Sequence, residues 1–167
     1  MSLESEIYKL SFELSEILDG KEINKLLGIL SSDGVYAMWV YAMDKLDWNF
    51  SENKEDMKNM KLFKLLYSIS ELDKYVSKKI RFDDKFCEEL AKLTQEINYL
   101  KKKKRRDKIE EEKLKNKIEE RNQKFQKLNQ YFKDLAQDLN KLLFMKELLE
   151  KVFIYALYHA HAKEKSK

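Results

Sequence analysis

Residues 86–108 read FCEELAKLTQEINYLKKKKRRDK, and this stretch decides how the chain folds. Phe86, Leu90, Leu93, Ile97 and Leu100 step by four, three, four and three, the spacing of a seam along a helix that packs on another helix. The eight residues 101–108 then hold no apolar side chain, so nothing there can enter a seam. The spacing resumes with Leu114, Ile118, Phe125, Leu128, Phe132, Leu135, Leu139 and Leu142. It predicts a helix rising from Asp84, a turn near Lys101–Asp107 and a long helix returning, a coiled-coil-like antiparallel hairpin arm over residues 84–140. One uninterrupted rod remains an alternative at this point.

The rest of the chain agrees with an all-α fold, a helical bundle carrying that arm. There is no proline, and the glycines are Gly20, Gly28 and Gly34, too few for the tight turns of a hairpin-rich sheet protein. A first helix is expected over about Leu3–Leu18, with Ile7, Leu10, Leu14 and Ile17 inward, closed by Asp19-Gly20 with the glycine left-handed. A second spans about Lys21–Leu30, after which Ser31-Ser32-Asp33-Gly34 offers caps for a new start. The third, VYAMWVYAMDKLD from Val35, is apolar almost all round and is expected at the centre of the bundle. Trp48–Asn53 reads as a polar loop with two aromatic plugs. A fourth helix is expected over about Glu55–Lys79, with a bend at Ser70, and a last one over Leu142–Ala162 after a break near Asn140. At 167 residues the chain fits a single domain.

Charge is the main functional signal. The net charge of +4 arises from 34 bases and 30 acids and says little by itself, but the bases are unevenly placed. Lys101, Lys102, Lys103, Lys104, Arg105 and Arg106 form a run of cations extended by Lys108. At a hairpin tip they would make a positive knob that binds phosphate backbones by releasing counterions. Lys74, Lys78, Lys79, Arg81 and Lys85 form a second basic stretch at the other end of the arm. The competing reading is a solvated tip neutralised by Glu110, Glu111 and Glu112. Trp48 and Phe50, on the loop, are candidates for an outside contact, whereas Trp39 belongs to the core.

Reactive chemistry finds no foothold. His159 and His161 are two apart, on different helix faces, whereas a helical zinc pair needs a spacing of four. Cys87, the lone cysteine, opens an amphipathic helix with no neighbouring histidine, and its solitude fits a reducing cytosol. No glycine-rich phosphate loop or nucleophile elbow occurs. The apolar runs Val35–Met43 and Val152–Tyr158 are too short for a membrane span, and no signal pattern opens the chain. The expectation is a cytoplasmic, noncatalytic protein without cofactor or metal. The run VFIYALYHA, 152–160, reads either as a closing core helix or as an exposed apolar patch for a neighbouring subunit.

Three segments together resemble a known family. EINKLLGILSSDGVYAMWVYAMDKL, 22–46, is two apolar helices about a break at Gly34; KLFKLLYSISELDKYV, 61–76, is amphipathic; KELLEKVFIYALYHAHAKEK, 146–165, is aromatic-rich with a basic end. Their order resembles the small all-helical subunit of type III CRISPR effector complexes, of the Cmr kind, over residues 3–80 and 142–165. The resemblance implies a noncatalytic subunit that stacks in copies along the complex and lines the guide–target duplex. Recognition would then go through phosphates and duplex shape. The contacts proposed for such a role, Lys78, Lys79, Arg81 and Lys101–Arg106, come from the charge pattern. The alternative expectation is a coiled-coil adaptor or homo-oligomer that self-associates through the Leu114–Leu142 seam and has no nucleic-acid role.

Overall fold

The computed structural model describes residues 2–166, which contain eight α-helices and no strand. They are α1 (Leu3–Ile17), α2 (Gly20–Asp33), α3 (Val35–Lys45), α4 (Lys54–Lys58), α5 (Lys61–Asp73), α6 (Asp84–Lys102), α7 (Lys108–Ala136) and α8 (Leu139–Lys165). One continuous buried cluster takes side chains from all eight.

The centre of the bundle is α8, not the apolar α3 that the sequence places there. Helix α8 packs along α1 and α2 and also touches α3, α5 and α7. Its Met145, Leu148, Leu149, Val152, Phe153, Ala156 and Ala160 are buried. Helix α3 lies to one side, burying Val35, Met38, Trp39 and Ala42 while Tyr36 and Val40 stay exposed. Trp39 is fully buried; its ring stacks on Phe132 of α7 at 4.6 Å, and its Nε1–H donates to Asn129 Oδ1 at 3.0 Å.

Several helix ends differ from their sequence reading, each because a polar side chain binds backbone. Asp19 begins α2 instead of ending α1: its carboxylate accepts from Glu22 N–H while Glu22 accepts from Asp19 N–H, so Gly20 is a helical residue and not a left-handed stop. Ser31, Ser32 and Asp33 extend α2, with Ser32 Oγ donating to the Gly28 carbonyl. Gly34 alone, at φ 98°, makes the corner into α3.

The single helix expected over 55–79 is two. Asn53 caps α4 by accepting from Glu55 and Asp56 N–H, and Met60 is extended, so α5 starts afresh at Lys61. At the far end the fully buried Asp73 stops α5. Its carboxylate accepts from Ser77 Oγ at 2.6 Å, Tyr131 Oη at 2.7 Å, Lys79 N at 2.9 Å and Ile80 N at 3.1 Å. Lys78, at φ 58°, supplies the left-handed turn that brings those donors round. Helix α5 runs through Ser70 without a break, and the Ser70 Oγ accepts from Phe82 N–H at 3.0 Å and ties down the same connection.

The hairpin is present, and the single-rod alternative is not. Helix α6 opens on Asp83, which caps Phe86 N–H, and α7 returns antiparallel and ends at Ala136. The helix break expected near Asn140 falls at 137–138, where Asp138 caps α8. Only the outer part of the arm has its own small core, Ile97, Leu100 and Leu114 with Ile118 against them. The inner part, Cys87, Leu90, Ala91, Phe125, Leu128, Phe132 and Leu135, belongs to the main cluster.

Candidate nucleic-acid interface

The tip of the arm is built around two of its own cations. Arg106 Nη1 donates to the Leu100 carbonyl at 3.1 Å and to those of Lys101 and Lys103 at 3.4 Å, closing the C-terminus of α6. Its Nε pairs with Glu111 at 2.7 Å. Lys103 pairs with Glu110 and sits 5.2 Å over the ring of Tyr99. Asp107 caps α7 by accepting from Glu110 N–H at 2.8 Å. Lys103 is thereby held above the usual ammonium range by its hydrogen bond to Glu110, and Glu110 below the usual carboxylate range by the same bond. Lys103 and Arg106 therefore organise the turn.

The remaining cations point outward. Lys101, Lys102, Lys104, Arg105 and Lys108 are exposed. None has a carboxylate partner among the described residues, while two of the nearby acids are engaged by Lys103 and Arg106. Neutralisation of the run by Glu110–Glu112 is thus partial. Two large apolar side chains share this end, Tyr99 at 66% exposure and Ile109 at 78%.

The second basic stretch is remote and divided. Arg81 precedes α6 and Lys101 lies in its last turn, so the two sit at opposite ends of a helix about 27 Å long. Lys78 and Arg81 line one cleft with Lys74, Glu71 and Asp83, and Lys74 is already paired with Glu71 at 2.7 Å. Lys79 lines a different cleft of about 220 Å³ with Lys127, Lys141, Asp134 and Asp138. Of the stretch read as one patch, Lys74, Lys78 and Arg81 thus fall in one cleft and Lys79 in another, each mixed with acids.

Between the two ends the arm is held by cross-helix pairs, Lys124–Glu89 and Lys117–Glu96, each at 2.9 Å. The 46–53 loop leans on α6: Gln95 Nε2 donates to the Glu52 carbonyl at 2.8 Å, and Asn98 Nδ2 to Glu52 Oε1 at 3.2 Å. Trp48 and Phe50 are not the outward contacts suggested by their loop position. Trp48 stacks on Phe125 at 4.6 Å and donates to the Met43 carbonyl, and Phe50 meets Phe125 edge-on. Arg121 covers Phe50, its guanidinium 4.1 Å from the ring centre. Arg121 was not legible as a contact, because its partner lies 71 positions away in the chain.

Cys87 is buried, and burial pushes its thiol up to about 11. His159 meets Phe12 edge-on, and among the described residues no group of three acids, histidines or cysteines is arranged to hold a metal. No described helix is long and apolar enough to cross a membrane. No known protein family, curated protein or solved structure matches the chain.

Proposed function

We propose that this chain is a noncatalytic subunit of a ribonucleoprotein, of the CRISPR-effector kind, that grips an RNA backbone with the tip of its α6–α7 arm. One observation carries the reading: Lys101, Lys102, Lys104, Arg105 and Lys108 surround the end of the arm without acidic partners, on a turn already rigidified by Arg106 and Asp107. Such a knob recognises phosphate and not base identity. Exposed Tyr99 beside it offers a face for an unstacked base. Lys78, Lys79 and Arg81 are secondary contacts, since each shares its cleft with acids.

The test is RNA binding by fluorescence anisotropy across a salt series. Four phosphate contacts predict an affinity that falls roughly 50-fold between about 50 and 200 mM salt. Replacing Lys101, Lys102, Lys104 and Arg105 together by glutamate should remove most of the binding and leave the helical circular dichroism unchanged. RNA affinity that is absent at low salt, or indifferent to that fourfold change, rejects the proposal.

In the adaptor reading the partner would have to meet the exposed end of the seam: Leu114, Phe125, Leu128, Phe132 and Leu135 are buried within the chain, Ile118 and Leu142 are half-buried, and Leu139 is exposed.

A further inference from the structure

Apolar side chains are left uncovered along the outer face of α8. Leu139, Leu143, Ile154, Tyr155 and Tyr158 are 65%, 52%, 39%, 36% and 66% exposed. With Glu147 and Lys151 between them, Leu143, Ile154, Tyr155 and Tyr158 follow the three- and four-residue steps that keep side chains in line on a helix. Glu147 and Lys151 form an intrahelical ion pair at 3.7 Å with both side chains largely exposed. Tyr8 of α1 widens the stripe, its ring edge-on to Tyr155 at 5.2 Å.

Order along the stripe identifies what covers it. Reading from the N-terminal end it runs apolar, acid, base, apolar. A two-fold axis crossing α8 at the level of Leu149 reverses that order in a second copy. Each residue then meets the one lying equally far on the other side of Leu149. Glu147 faces Lys151 of the other copy and Lys151 faces its Glu147. Leu143 faces Tyr155, Ile154 lies level with the half-buried Phe144, Tyr158 with Asn140 and Leu139 with His159. Both charges meet their opposites, and the Leu143–Tyr155 apolar pair recurs on either side of the axis, as an isologous interface requires. A parallel pairing in register would instead set Glu147 on Glu147 and Lys151 on Lys151.

We infer that α8 is a homodimerisation surface, pairing antiparallel with α8 of a second copy about a two-fold axis at Leu149. The pairing concerns a face distinct from the basic tip and stands or falls independently of RNA binding. A stripe one helix wide is smaller than a standard interface, so the dimer forms in the micromolar range or weaker.

Charge exchange tests both the surface and its register. Sedimentation of the full chain without RNA, up to a few hundred micromolar (an order-of-magnitude ceiling set by weak association), should show monomer–dimer exchange. Lys151→Glu alone sets four carboxylates together across the axis, and Glu147→Lys alone sets four ammonium groups; each should weaken dimerisation at least tenfold. The double variant Glu147→Lys with Lys151→Glu restores opposite charges and should recover the wild-type constant. Mixing the two single variants should give a heterodimer tighter than either homodimer. Side chains this exposed leave the fold intact, which circular dichroism checks. A chain monomeric throughout overturns the inference. So does a dimer indifferent to the single reversals, or one that the double variant fails to rescue.

Discussion

Glu6 illustrates at the scale of one residue how a surface helix can carry a liability. Its side chain is buried in the α1–α5 contact, and Oε1 has no hydrogen-bond partner. Burial first, and then the Glu71 carboxylate beside it, hold its carboxyl above the ordinary range, with Lys9 and Lys74 pulling the other way. A folded value above the unfolded one means that the native state holds this proton more tightly. Ionisation therefore lowers stability, an effect absent below the ordinary value of 4.5 and complete once pH exceeds the raised one. Glu6→Gln should accordingly raise the melting temperature at neutral pH, with the gain disappearing near pH 4. A gain that persists in acid, or none at pH 7, would contradict this account. Asp73 is the opposite case, a buried carboxylate satisfied by four neutral donors. Tyr131→Phe removes one donor and leaves the others, and should cost about 1–3 kcal/mol in urea unfolding. An unchanged midpoint would mean that Asp73 does not anchor this connection.

At the scale of the element, the arm separates two roles within one basic run. Arg106 closes α6 through three carbonyls and a pair with Glu111, whereas Arg105, next to it, is exposed and has no such partner. Arg106→Ala should accelerate amide exchange over residues 97–118, where the tip core is small. Arg105→Ala should leave exchange unchanged and lower RNA affinity. Equal effects of both on exchange would show that the turn does not depend on the Arg106 cap. The run of cations was legible in the sequence, but not this division, because consecutive residues in a turn diverge in direction and only the fold sets which of them face carbonyls.

Across the whole molecule, burial explains where sequence reading succeeded and failed. Periodicity located α1, α2, α6 and α7 because each buries one apolar stripe and leaves a polar face outward. It misplaced the centre, since α3 is apolar yet one-sided while α8 alternates buried and exposed apolar side chains. The segment 152–160 was open between a core helix and an exposed patch, and it is both: Val152, Phe153, Ala156 and Ala160 face the core, and Ile154, Tyr155 and Tyr158 face out. The basic tip and the α8 stripe are separate surfaces, so a dimer formed through α8 would carry two tips and bind RNA bivalently.

By itself the sequence determined that this chain is helical and that six cations follow the seam of residues 86–100, because these follow from spacing within short windows. That the chain doubles back there instead of running on as one rod was decided by the fold. The tertiary structure alone decided which cations are engaged by neighbouring acids and carbonyls, where α5 ends, and what surrounds Trp48. Those depend on partners far along the chain, such as Tyr131 for Asp73 and Phe125 for Trp48, whose approach no local pattern encodes.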